Sequence, residues 1–204
     1  MERHWMNCWD DRQFFSSVFL MGSIILHDCS GAGFSLKCII GEKIMKTLIV
    51  YYSWHNGNTR RIAEMIHEHT GGDICAIDTA VPYPSEYRKA SDQGKKETET
   101  GYMPQLKEIP YNVRDYDRII VGTPTWWYTM APAVLSFLKN NDFTGKTVVP
   151  FMTNAGWPGT VIEDMKKACP GAVIEHPFEV LFDSDGGSEL KTPEAQLNRW
   201  ISSL

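Results

Sequence analysis

The chain is short of several features that mark whole classes of protein. It has five cysteines, an odd count, and no C-x-x-C pair or Cys/His metal spacing among them. That composition points to free thiols in a reducing compartment, and so to the cytoplasm, rather than to a disulfide framework or a metal site. No apolar run reaches the roughly 20 residues a membrane helix needs. The longest, from Phe14 to Leu26, is interrupted by Ser16, Ser17 and Ser23. Its upstream flank mixes Glu2, Arg3, Asp10, Asp11 and Arg12, so it has no basic region of the kind a signal peptide carries. There is no excess of positive charge: the net charge is −5 over 204 residues, which argues against a phosphate-backbone binder. The dinucleotide fingerprint G-x-G-x-x-G is missing, and so is the lysine of a Walker loop.

What is present falls into two parts. Residues 1–44 mix Trp5, Trp9, Phe14, Phe15 and three of the cysteines without a clear period. From Lys46 onward, strand-like and helix-like stretches alternate. Gly41-Glu42-Lys43-Ile44-Met45 is compatible with a purine-rich ribosome-binding sequence just ahead of a start codon. Met45 is therefore the expected native start, with residues 1–44 an extension outside the fold. A membrane-surface anchor, or an N-terminal helix packed on the core, are the alternatives.

Residues 45–204 read as five strand–helix units. Strands are expected at Thr47–Tyr52, Ile74–Ile77, Asp117–Gly122, Lys146–Met152 and Ala172–Leu181. Helices are expected at Asn58–His69, Ser85–Glu97, Ala131–Leu138, Thr160–Ala168 and from Pro193 onward, the last with Thr192 as its cap. Apolar β-branched strands alternating with helices predict an α/β fold, a doubly wound parallel sheet covered on both faces in three layers. Ligands of such sheets sit beyond the carboxyl ends of the strands, so the loops after strands one, three and four are the places to look.

Each of those loops is unusual. After strand one, Ser53-Trp54-His55-Asn56-Gly57-Asn58-Thr59 places hydroxyls, a glycine and asparagines just before a helix N-terminus. That combination suits phosphate, because backbone N–H groups and the helix dipole both favour an anion there. After strand three, Thr123-Pro124-Thr125-Trp126-Trp127-Tyr128 offers a flat aromatic wall for a planar ligand. After strand four, Thr153-Asn154-Ala155-Gly156-Trp157 has small residues that let backbone approach a ligand edge. Four of the seven tryptophans lie in these loops. A phosphate cradle, an aromatic wall and an edge-reading loop together describe a site for flavin mononucleotide (FMN).

These residues resemble the flavodoxin family, short-chain type. Residues 46–53 with Gly57-Asn58-Thr59-Arg60-Arg61-Ile62-Ala63-Glu64 look like its phosphate loop, 116–127 like its second flavin loop, and 150–156 like its third. The resemblance implies a flavodoxin-like five-stranded sheet of order 2-1-3-4-5 with bound FMN. It implies phosphate binding by Ser53, Asn56, Gly57, Asn58 and Thr59. Thr123 to Trp127 would flank the ring, and Thr153 to Gly156 would line its other edge. It also implies a low-potential electron carrier serving redox partner proteins. The alternatives are an NAD(P)H-dependent oxidoreductase reducing quinones or similar acceptors, and a flavin-binding protein without redox turnover. Carboxylates at the rim, with Glu97, Glu99 and Asp185 as candidates, would favour the carrier.

Two other families with this sheet are excluded. A low-molecular-weight tyrosine phosphatase needs a cysteine nucleophile in the first loop, where this chain has Ser53. A response regulator needs an acidic pair after strand one and an aspartate ending strand three. Here those positions hold Ser53-Trp54 and Thr123. The chain departs from the commonest flavodoxin form in three ways: a phosphate loop one residue longer, Ala155-Gly156 in place of Gly-Gly, and the additional Trp157.

Intact-mass measurement on protein from its native host is expected to place the N-terminus at Met45. An intact Met1 terminus would rule out the internal start.

Overall fold

The computed structural model describes residues 45–184 and 187–204. The extension expected at residues 1–44, with Cys8, Cys29 and Cys38, lies outside the described residues, as does Asp185.

The elements run β1 (Thr47–Tyr51), α1 (Asn58–Thr70), β2 (Asp73–Ala76), α2 (Tyr87–Thr100), β3 (Arg118–Trp126), β4 (Thr129–Met130), α3 (Pro132–Asn140), β5 (Thr147–Asn154), α4 (Val161–Ala168), β6 (Val173–Ile174), β7 (Phe178–Leu181) and α5 (Glu194–Ile201). The sheet order is β2-β1-β3-β5-β6, with β7 also parallel to β5. With β6 and β7 counted as one position, this is the order 2-1-3-4-5 that the resemblance implies.

Side-chain alternation along the strands builds two cores, one on each face. Leu48, Val50, Ile119, Val121 and Val148 point to the face covered by α3 and α4, where Val134, Phe137, Leu138, Val161 and Met165 meet them. Ile49, Ile120, Val149 and Phe151 point to the other face and pack on Ile62, Ala63 and Ile66 of α1 and Leu197, Trp200 and Ile201 of α5. Each of these large apolar side chains contributes roughly 1.5–3 kcal/mol through burial.

Three local expectations are corrected. The fifth strand is not continuous: His176 takes a left-handed φ of 46° and Pro177 has no N–H to offer a ladder, so the strand breaks into β6 and β7. Trp200 seals the break, stacked on Phe178 at 4.5 Å and donating its indole N–H to His176 O at 2.8 Å. The third strand continues past Gly122 to Trp126 and then folds back as the antiparallel β4. Thr192 does not cap α5. Its hydroxyl accepts the Leu181 N–H at 2.7 Å, and Pro193 occupies the cap position. The tie to the sheet took the hydroxyl that sequence spacing assigned to the helix.

Among the described residues, no helix is long and apolar enough to cross a membrane. Burial pushes the thiols of Cys75 and Cys169 up to about 11. Only the thiolate alkylates, so peptide mapping after iodoacetamide treatment should find both nearly unmodified at pH 8. Modification should rise as the pH approaches 11.

Candidate functional site

The chain leaves β1 through Tyr52 and Ser53 and turns at two left-handed residues, His55 at φ 61° and Gly57 at φ 73°. Gly57 is the N-cap of α1 and has no side chain to offer, and the first turn of the helix holds no acidic residue. The N–H groups of Asn58 and Thr59, at the start of α1, are thus placed to suit an anion. Ser53 Oγ accepts the Arg60 N–H at 3.3 Å, and His55 Nδ1 lies 2.6 Å from Asn56 Oδ1. The Thr59 hydroxyl is buried 2.8 Å from that of Thr153, which ties the first loop to the third.

The end of β3 is braced from inside. Thr123 is fully buried. Its hydroxyl accepts the Ala131 N–H at 3.0 Å and donates to Pro124 O at 2.9 Å. Beyond it, Trp126 pairs with Thr129 across a two-residue turn whose central residues, Trp127 and Tyr128, have φ of 48° and 66°. Such a turn normally takes Asn or Gly. Left-handed backbone at two bulky residues costs of order 1–3 kcal/mol each.

Trp126 sits edge-on in an aromatic cluster, with ring centroids 4.8 Å from Tyr83, 5.6 Å from Tyr52 and 6.2 Å from Trp54. Helix α2 lies against it at Gly94, where a Cβ would come within 2.8 Å of the indole. Below the cluster, the Tyr83 hydroxyl donates to Glu97, which also accepts from Gln93 Nε2 at 2.8 Å. Burial first, and then the Glu97 carboxylate, push the Tyr83 phenol far above its ordinary range. Glu97 is 8% exposed, so it is part of this buried network and not of an acidic rim.

The third loop follows β5. Asn154 Oδ1 accepts the Gly156 N–H at 2.7 Å, and its amide donates to Glu179 at 2.8 Å. Trp157 then projects outward, 57% exposed.

Together the three loops line one groove of about 610 Å³. Trp54, His55, Asn56, Asn58 and Thr59 line it from the first loop. Pro124 to Tyr128 line it from the second, and Thr153, Asn154, Ala155 and Trp157 from the third. Ser53, Gly57, Thr123 and Gly156 do not line it but shape the turns that do.

Sequence reasoning missed two further walls. One is the α2 face of Tyr87, Ala90 and Ser91, whose only advance signal was a small-residue stripe on a polar helix. The other is formed by Phe182, Asp183, Ser184 and Gly187. Asp183 accepts the backbone N–H groups of Gly187 and Glu189, at 2.5 and 3.3 Å, and Asn58 Nδ2 donates to Gly187 O at 2.8 Å. A helix-start residue expected to face the ligand thus also anchors a fourth loop.

Fold and site define a class: a doubly wound α/β protein whose groove, past the carboxyl edge of a parallel sheet, joins an open helix N-terminus to an aromatic wall. The flavodoxin family model matches residues 46–200, and the chain belongs to that family. Among solved structures, a Bacteroides eggerthii protein is 28% identical, with a TM-score of 0.62 over 78% of this chain and 97% of its own. A Bacteroides uniformis protein is 24% identical, with a TM-score of 0.63 over 78% and 98%. A flavoprotein in complex with FMN from Lactobacillus acidophilus is 25% identical, with a TM-score of 0.55 over 76% and 98%. No curated protein matches the chain.

The contact between Gly94 and Trp126 is directly testable. Gly94→Ala should keep or increase helicity in far-UV circular dichroism, since alanine favours a helix by about 1 kcal/mol. The near-UV tryptophan bands should change, because the Trp126 indole must move.

Proposed function

We propose that the groove binds FMN and that the protein uses it to carry electrons. The observation that carries this reading is the meeting, in one groove, of the α1 N-terminus, whose cap residue Gly57 has no side chain, and the aromatic wall at Trp126 to Tyr128 and Trp157. One end suits a phosphate and the other a planar ring. The FMN complex of the Lactobacillus acidophilus flavoprotein supports the choice of ligand. The first turn of α1, with Asn56, Asn58 and Thr59, would take the phosphate. The aromatic side chains would take the ring, and Asn154 and Ala155 its polar edge. Bound FMN supplies one- or two-electron redox chemistry. The chain's own work is to orient the ring, exclude water from one side of it and leave a face for exchange.

The rim supports docking with a redox partner. Tyr87, Trp127, Tyr128 and Trp157 are 68, 43, 59 and 57% exposed, and all four border the groove. Exposed aromatic residues gathered at a functional groove are typical of recognition surfaces. A second reading, an NAD(P)H-dependent oxidoreductase of quinones or similar acceptors, rests on charge. Among the described residues that line the groove, Asp183 is the one acidic residue, and a flat or anionic small molecule meets little repulsion from them.

The test is an absorbance spectrum of folded protein after adding FMN and removing the excess, followed by dithionite titration. Retained blue and near-ultraviolet bands that bleach in two resolved steps are expected for the carrier. Bleaching in one step, with NADPH oxidised in the presence of a quinone, would favour the oxidoreductase. A colourless, folded protein would overturn FMN binding.

A further inference from the structure

The Trp127–Tyr128 turn is held in its left-handed backbone by contacts from two sides. From α2, Ser91 O accepts the Trp127 indole N–H at 2.9 Å, and Lys95 Nζ lies 5.1 Å from the ring centroid. From the start of α4, Tyr128 O accepts the Thr160 N–H at 2.7 Å. Gly159 lies so close that a Cβ on it would sit 1.9 Å from the same oxygen. Behind Thr160 stands Asp164. Its Oδ2 accepts the Thr160 hydroxyl at 2.6 Å and the Thr129 hydroxyl at 2.8 Å, while Lys167 bridges to its Oδ1 at 3.3 Å. The two threonines flank the turn, Thr129 on its outgoing strand and Thr160 on its carbonyl.

We propose that Asp164 is a positioning residue that locks the Trp127–Tyr128 turn through Thr129 and Thr160, so that the aromatic end of the groove is formed before any ligand arrives. This deepens the flavin-binding reading and rests on it for the identity of the ring. An ordinary role for Asp164 is within α4 alone, as the partner of Thr160 four residues earlier. That role leaves the Thr129 contact unexplained, since Thr129 belongs to a different element 35 residues away. One carboxylate oxygen joining both threonines ties β4 to the α4 start, and the strained turn lies between the two points it holds. Because the turn presents Trp127 and Tyr128 to the groove, the lock acts on whatever planar group binds there and not on a phosphate at the far end.

The experiment compares the wild type with Asp164→Ala and Asp164→Asn. Three quantities are read: melting temperature, amide hydrogen exchange without ligand, and the dissociation constants of FMN and of riboflavin, which lacks the phosphate. In Asp164→Ala, exchange at the Thr160 amide is expected to accelerate selectively. FMN and riboflavin should both weaken by the same factor, about tenfold or more for the loss of two hydrogen bonds to a charged acceptor. Asp164→Asn should recover most of both, since its side-chain oxygen still accepts the two hydroxyls. Unchanged exchange at Thr160 would overturn the proposal. So would exchange that rises evenly across the domain with a lower melting temperature, or a loss confined to FMN. If the wild type binds neither flavin, the FMN reading fails, and the exchange measurement alone decides the lock.

Discussion

The parallel pairing of β1, β3 and β5 is the constraint on which the site depends. Because those strands run the same way, their carboxyl ends emerge along one edge, and the three loops that follow are forced into proximity. The order reverses at β1, which lies between β2 and β3. The helix after β1 packs on one face and the helices after β3 and β5 on the other. A crevice opens between them, and it is there that the helix N-terminus and the aromatic wall meet. The hydroxyl contact between Thr59 and Thr153 shows how closely the first and third loops converge.

Within that frame the site concentrates local conflict. Left-handed backbone at His55, Trp127 and Tyr128 is unfavourable for each residue alone. At Trp127 and Tyr128 it persists because hydrogen bonds from α2 and the start of α4 fix it. The carboxylates serve the same end by different routes. Glu97 is buried beneath the aromatic cluster, where Tyr83 and Gln93 satisfy it. Asp183 holds the backbone N–H groups of Gly187 and Glu189 on its own carboxylate. Burial opposes ionisation of Asp164, yet its hydrogen bonds from Thr160, Thr129 and Lys167 outweigh that and hold its carboxyl below the usual range. These acidic residues are structural braces.

Much of the fold was legible because burial on both faces leaves a plain mark. The runs at Thr47–Tyr51 and at residues 148–152 are apolar almost throughout, and the helical stripe of Leu197, Trp200 and Ile201 could face only a core. The errors came where a residue had two possible partners. Thr192 satisfied a strand N–H instead of a helix end. The Trp127–Tyr128 turn contradicts local preference, so no reading of propensity would have produced the β3–β4 hairpin. The walls from α2 and from Phe182, Asp183, Ser184 and Gly187 were missed because neither carries a motif; they join the groove by packing alone.

By itself, the sequence determined the alternation of strands and helices, the parallel sheet, and the chemistry of three loops rich in donors and tryptophans. Those properties are local: they follow from hydrophobic period, turn residues and composition within a few positions. Only the tertiary structure decided which of the aromatic residues are exposed, which carboxylates are buried, and which loops share a wall. Those depend on contacts between residues tens of positions apart, such as Tyr83 with Trp126, Asn58 with Gly187 and Thr129 with Asp164. Such pairs leave no periodic trace along the chain.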